Sequence, residues 1–461
     1  MKKARSSQRI NKIDTTTDTI TGRGGLVLFS RYLEMTGILD ILNTKFGFMR
    51  KSSKGLSVWI LFKQIFCFFF DGTSRHLTYF DQLKNDKGYA GALETTTSQM
   101  ASSHMIKRFF QTFGWWFANH FRWVLRTMFI WRLNIIKPDE IVLYIDSMVM
   151  DNDDAKKRQG VQPTYKKKKG FHPLQIIWNG KIVDAIFRGG SKNGNFGDTV
   201  VNMIIGLVNL IRSDYSKTVT IILRCDSGFF DEKNFAAFDE LNIGFIASGK
   251  MYAGVKQQAS NAANSDWDSY NSKEQTWSFL EFGFRCDKWK RFYRTFYTRC
   301  LYEGKQILLD FARPDNVILT NIGINDKVLE NCTEERRQYW LTPEAIINSY
   351  HQCGADELAH RGFKDFGFEQ LPFKKFGPNS AFYYCMLISF FLFETFKEDV
   401  TAEVIPIRSY ATSVRRKIVD IGAKIVKKSH MITLKLSQSV MQAIKFDKLW
   451  ANCQNPSPIL I

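Results

Sequence analysis

Apolar residues recur at three- and four-residue steps from Gly24 to about Arg132, as in Leu26-Val-Leu-Phe, Tyr32-Leu-Glu-Met and Ile38-Leu-Asp-Ile-Leu, and this spacing predicts helices. Trp59 to Phe70 and Met105 to Trp131 read as two heavily aromatic helices, the second dotted with Lys107, Arg108, Arg122 and Arg126. The aromatics are expected to form the core of a helical bundle, leaving the basic residues on outer faces where phosphates can be held. Residues 1 to about 22 are polar and expected to be extended or mobile. The pattern changes after Pro138. Ile141-Val-Leu-Tyr-Ile-Asp146 is a strand-like run ending in an acid, and Thr220-Ile-Ile-Leu-Arg-Cys-Asp226 is another. Between them, His172–Trp178 and Lys181–Phe187 flank Asn179-Gly180, a strong hairpin signal. A Gly- and Asn-rich loop over 189–198 and an amphipathic helix over 200–211 follow. Strand, hairpin, helix and strand in this order suit an α/β layer built on a mixed sheet.

From about Lys250 to Glu330 the chain turns to short aromatic alternations: Trp277–Phe284, Trp289–Tyr297 and Gln306–Ala312. These read as a β-rich insertion. Thr342-Pro-Glu344 then supplies an N-cap, a first-turn proline and a first-turn acid. If Tyr350 to Lys364 is one helix, Tyr350, Cys353, Glu357 and Lys364 fall within a sector of roughly 60°. Gly377-Pro378-Asn379 is expected to break the chain ahead of an apolar helix over 381–396, and a basic tail with a strand-like His430–Leu436 closes it. The expected division is a helical region at 1–135, an α/β core at 136–249, the β-rich insertion at 250–334, a helical second part of the core at 335–400, and a basic region at 401–461.

Charge changes this picture. Lys+Arg number 64 against Asp+Glu 45, a net +19 spread along the chain, which favours a polyanionic partner held in a long groove. The eight cysteines form no C-x-x-C and no zinc spacing, and read as reduced thiols of a cytoplasmic protein. The most apolar run, Ala381 to Phe393, is short of the ~20 residues that cross a bilayer and reads as a buried core helix, so no membrane is expected as partner.

Taken singly, Asp146 or Asp226 reads equally well as a strand-end residue capping a turn, and Glu357 as part of a solvated helix face. Together, two acids at the ends of neighbouring strands and a third from a helix across them make a set of hard oxygen donors suited to Mg²⁺ or Mn²⁺. Two such ions ~3.5–4 Å apart activate a nucleophile on one side of a phosphodiester and stabilise the leaving oxygen on the other. A surplus of positive charge around three carboxylates is consistent if the acids hold cations. Asp151, Asp153 and Asp154 lack the Gly and Glu of a calcium loop, and Gly189–Gly197 lacks the Lys-Ser/Thr of a phosphate loop.

At Tyr-Ile-Asp146-Ser, His172-Pro-Leu, Arg224-Cys-Asp226-Ser-Gly-Phe-Phe and Tyr350–Lys364, the chain resembles bacterial insertion-sequence transposases of the DDE type, transposase DDE domain group 1. The last stretch follows that family's Tyr-x2-Arg-x3-Glu-x6-Lys spacing at every position. The resemblance runs in order from about residue 22 to 440 and implies an RNase H-like mixed sheet flanked by helices, with an N-terminal helical DNA-binding region. It implies Asp146, Asp226 and Glu357 as the metal-binding catalytic triad with two Mg²⁺ or Mn²⁺ ions. Tyr350 and Lys364 would contact phosphates of the transposon end. It further implies binding of double-stranded DNA at terminal inverted repeats, a homodimer pairing two ends, and cut-and-paste cleavage and strand transfer. The insertion is similar to that of relatives that form a DNA hairpin and stack a Trp on a flipped base, which makes Trp267, Trp277 and Trp289 candidates beside plain packing. The family's Arg is Cys353 here, and a thiol cannot make a bidentate phosphate contact. Either a cation such as Arg361 or Lys166, Lys167, Lys168 and Lys169 substitutes, or the copy is catalytically impaired or repurposed for DNA binding; a metal-dependent nuclease is the other alternative.

Overall fold

The aromatic runs do build the core, and they build it around a helix from the far end of the chain. The computed structural model describes residues 10–50, 55–154, 157–272, 275–303, 306–307, 315–429 and 431–459. Helix α1 (Val58–Asp71) opens on Ser57, whose hydroxyl accepts from Ile60 N, and buries Phe62, Phe66, Phe68, Phe69 and Phe70. Helix α2 (Ala118–Ile136) runs alongside the sheet. Both face the buried apolar helix Phe376–Phe396: Phe69 meets Phe382 edge-on at 5.1 Å, Phe70 meets Phe396 at 5.5 Å, and Phe121 stacks on Tyr384 at 5.7 Å. Each such ring contributes about 1.5–3 kcal/mol by burial, so the N-terminal helices share one core with the rest of the chain.

Arg122 and Arg126 of α2, expected on an outer face, are internal partners instead. Arg122 grips Asp184 with two nitrogens at 2.9 and 2.8 Å, and Arg126 adds a 2.6 Å contact to Asp184 Oδ2. Asp184 is fully buried, and two guanidiniums meet the requirement that a buried charge be paired.

The sheet holds β1 (Glu140–Ser147), β2 (Leu174–Trp178), β3 (Lys181–Ile186), β4 (Thr220–Cys225) and β5 (Gly244–Ser248) in the spatial order β3-β2-β1-β4-β5. β2 and β3 are antiparallel to their neighbours, and β1, β4 and β5 are parallel. This is the mixed, RNase H-like arrangement, with α3 (Thr199–Asp214) crossing from β3 to β4. The Asn179-Gly180 turn has φ of 45° and 74°, the two left-handed residues that a tight hairpin turn requires. The insertion extends the same sheet: β6 (Asp268–Ser272), β7 (Gln275–Phe284), β8 (Tyr293–Glu303) and β9 (Asp315–Thr320) continue beyond β5 through the β9–β5 pairing. β8 begins at Tyr293, four residues after Trp289, and of the 306–312 run only Gln306–Ile307 lies within the described residues.

The stretch expected to be one helix is two. Helix α4 (Pro343–His351) starts at Thr342, whose hydroxyl accepts from Ala345 N, and α5 (Cys353–Phe366) follows after the single residue Gln352. Helix α6 (Phe376–Phe396) starts five residues earlier than expected. Pro378 sits in its first turn, where N–H groups have no helical partner, so the proline does not break it. With the π-helical turn that follows, the segment Phe376–Thr401 is long and apolar enough to cross a membrane, but 89% of its most apolar window is buried inside the protein. It is a core helix. Near the C-terminus, β10 (Ala423–Lys428) pairs with β11 (Met431–Leu436) and with Thr19–Thr21, so part of the polar N-terminal stretch is a strand. His430 lies outside the described residues, as do residues 1–9.

Candidate active site

Asp146 and Asp226 reach the same edge of the sheet because β1 and β4 run parallel and in register. Ile145 lies beside Cys225, so the next residue on each chain segment emerges at the C-terminal edge, on neighbours about 5 Å apart. Each acid commits one oxygen locally. Ser147 N–H donates to Asp146 Oδ1 at 2.6 Å, and Gly228 N–H donates to Asp226 Oδ1 at 2.9 Å. The latter bond caps the turn Ser227–Phe229, so the capping role is real, and it uses Oδ1.

Glu357 comes from α5, which packs across β2. Its side chain is exposed, and its charge is felt by both aspartates. Burial, then the Asp226 and Glu357 charges, push the Asp146 carboxyl up to about 7, against the Ser147 N–H and the Lys166 ammonium, which favour the anion. Asp226 is also raised, by its protein surroundings and by Glu357, although its side chain reaches solvent. Buried Tyr144 is raised by burial and by all three acids together. Asp146 and Asp226, each raised in the field of Glu357, form one electrostatic unit with it.

The helices carrying Tyr350 and Glu357 are tied to the strand carrying Asp226. The buried Arg224, two residues before Asp226, donates to Ser349 O at 3.0 Å and to Gln352 Oε1 at 3.3 Å. It thereby joins β4 to the α4–α5 junction. Because the helix breaks at Gln352, Tyr350 belongs to α4. Cys353, Glu357 and Lys364 remain on α5, within a sector of ~40°.

The other expected residues separate into groups. Half-buried Tyr350 donates from its hydroxyl to Ser248 Oγ at 3.2 Å. Lys364 is half-buried and lies 3.1 Å from Glu369. Arg361 is exposed. Lys166, Lys167, Lys168 and Lys169 are exposed on a hairpin whose tight turn is closed by Thr164 N–H to Lys168 O at 2.9 Å. Lys166 acts on Asp146, and Lys168 lies 3.6 Å from Asp151. Trp277 is buried with its ring 4.4 Å from that of His351; Trp267 packs on Tyr297 with Arg299 over its ring; Trp289 packs on Phe230, beside the Asp226 turn, at 4.9 Å. Buried Trp277 offers no face to a base in this conformation.

Two neighbours escaped the sequence reading. Tyr165, exposed at the hairpin tip, feels all three acids. His360, on α5 one turn beyond Glu357, places Nδ1 3.5 Å from Asp146 Oδ2. Its spacing from Glu357 was the available signal, but a lone histidine on a half-buried helix face reads as packing. Burial, with Lys364 and Lys166 nearby, pushes its pKa down to about 4, so the ring is neutral at physiological pH.

Among the described residues, no group of three His, Cys, Asp or Glu side chains is drawn close enough to hold a metal as it stands. The donor chemistry fits a hard divalent cation nonetheless. Asp146 and Asp226 present carboxylates at one sheet edge, coupled to Glu357, and their mutual repulsion is what a bound cation would relieve.

Residues 3–457 match the family described as Transposase DDE domain group 1, and the chain belongs to that family. It is a DNA transposase of the DDE type. Among solved structures, a piggyBac transposase synaptic complex with hairpin DNA is similar at 11% identity and a TM-score of 0.37, covering 85% of this chain and 78% of that one. No curated protein matches.

Proposed function

We propose that this transposase binds the terminal inverted repeats of its own element, pairs two ends as a dimer, and cuts and rejoins DNA with Asp146, Asp226 and Glu357 as ligands of two Mg²⁺ or Mn²⁺ ions. The observation that carries the reading is the in-register emergence of Asp146 and Asp226 beside each other, within the field of Glu357. Bound divalent cations would supply Lewis-acid stabilisation of the attacking and leaving oxygens. The chain's own residues do the rest. The sheet edge and α5 fix the three carboxylates, and Lys166 to Lys169, Arg361 and Lys364 draw the phosphate backbone to them. In cleavage, a water oxygen attacks phosphorus, the bond from phosphorus to the 3′ oxygen breaks, and a 3′-OH is released. In joining, that 3′-OH attacks a target phosphodiester and displaces its 3′ oxygen. Each step is an in-line substitution needing no covalent protein–DNA bond.

Joining separates this function from a nuclease. Purified protein with DNA carrying the two flanking sequences of its own reading frame is expected to give end-specific cleavage and joined products in Mg²⁺. Cleavage without joining would favour the nuclease. A second reading, an impaired DNA-binding copy, is favoured by Cys353, which opens α5 where the family motif has Arg. End-specific binding without cleavage, with activity restored by Cys353→Arg, would establish it.

A further inference from the structure

The contact between His360 and Asp146 has no place in the mechanism above, and it joins two elements that must keep a fixed relation. Asp146 leaves β1 and His360 stands on α5, one turn beyond Glu357. The Nδ1–Oδ2 distance is 3.5 Å, and the two side chains are only 12% and 16% exposed. Asp146 Oδ1 is already taken by Ser147 N–H. Among the described residues, His360 Nε2 is buried with no hydrogen-bond partner.

These facts select a tautomer. A proton on Nδ1 sets a donor 3.5 Å from Oδ2, within reach of an ionised Asp146 after a small adjustment, and leaves Nε2 as a bare lone pair. A proton on Nε2 would bury a donor without an acceptor and set the Nδ1 lone pair against a carboxylate. Carboxylates that ligate metals are commonly oriented by such outer donors, whose removal weakens metal affinity roughly 10–100-fold.

We infer that His360 is a positioning residue: its Nδ1–H holds Asp146 by Oδ2, so that strand and helix present Asp146 and Glu357 to the divalent cation in a fixed relation. This rests on the metal–carboxylate reading above. His360 touches neither substrate nor reacting atoms, so its loss lowers metal affinity more than DNA affinity.

The test uses Mn²⁺ alone as probe, titrated calorimetrically into the full chain without DNA. Wild type is compared with His360→Leu, which keeps bulk without a donor, His360→Asn, which keeps a donor near the Nδ1 position, and Asp146→Asn. We expect Mn²⁺ affinity about tenfold weaker in His360→Leu, within about threefold of wild type in His360→Asn, and lost from this site in Asp146→Asn. Binding of end DNA in chelator is expected to be the same in wild type and both His360 variants. Wild-type Mn²⁺ affinity in His360→Leu would overturn the inference, as would equal losses in Leu and Asn, which mark direct ligation or plain packing. A wild type that binds no Mn²⁺ would overturn the metal reading and this inference with it. Should His360→Leu fail to fold, His360→Phe takes its place with the same expectation.

Discussion

Asp146 sits at odds with its surroundings, and the conflict is measurable. Its carboxyl is raised from 3.8 to about 7 in the folded chain. Between those values the unfolded state has lost the proton that the folded state keeps, so without metal the site costs stability as pH rises from about 4 to 7. Asp146→Asn removes that cost. In chelator at pH 8 it should raise the unfolding free energy by on the order of 2 kcal/mol. It should also flatten the stability profile between pH 4 and 7, read by urea unfolding at each pH. A variant no more stable than wild type at pH 8 would contradict the burial of a strained carboxylate. Lys364 gives a second case: Glu369 holds it at 3.1 Å and accepts Asp151 N–H at 3.2 Å. Glu369→Gln should free Lys364 and tighten duplex binding by up to about fivefold at low salt, measured by fluorescence anisotropy; unchanged affinity would show that Lys364 meets no phosphate. The strand-end acids were legible because an apolar run ending in Asp is local information. Arg122 and Arg126 were not, because Asp184 lies 62 and 58 residues away and only the fold brings it under α2.

Helix ends decide the element scale. Arg415, in the basic region near the C-terminus, is an internal clamp. Its guanidinium donates to Phe69 O and Phe70 O at 2.8 Å each, and to Phe366 O at 2.7 Å. It thus satisfies orphan carbonyls at the ends of both α1 and α5. Arg415→Met should cost about 3 kcal/mol by leaving buried acceptors unpaired, read by urea unfolding; a cost near zero would mean that water replaces it. Gly72, which ends α1 at φ 63°, has the same guanidinium 2.2 Å from where a Cβ would stand, so Gly72→Ala should destabilise through strain and displacement of Arg415 together. The hairpin at Asn179-Gly180 was readable because its φ demands are written in the residue types. The break at Gln352 was not. Its backbone stays in the helical region, φ −71° and ψ −11°, and nothing in Tyr-His-Gln-Cys marks a stop.

At the scale of the molecule, the order β3-β2-β1-β4-β5 was foreshadowed by strand, hairpin, helix and strand, whereas the continuation of the insertion into the same sheet was not. Aromatic alternation identifies strands but not their partners, and β9 reaches β5 through residues 70 to 74 positions apart. The net charge of +19 carries a prediction at this scale: duplex binding should fall steeply with salt, with a log–log slope of about −4 or steeper. A shallow slope would mean that the surplus charge faces away from DNA. In the proposed function, Asp146, Asp226 and Glu357 act together on a phosphodiester. Its most direct test is Mg²⁺-dependent cleavage of the element's own end DNA by wild type beside Glu357→Gln. Wild type is expected to cleave and join, and Glu357→Gln to lose both with end binding intact. Cleavage that survives in Glu357→Gln would contradict it.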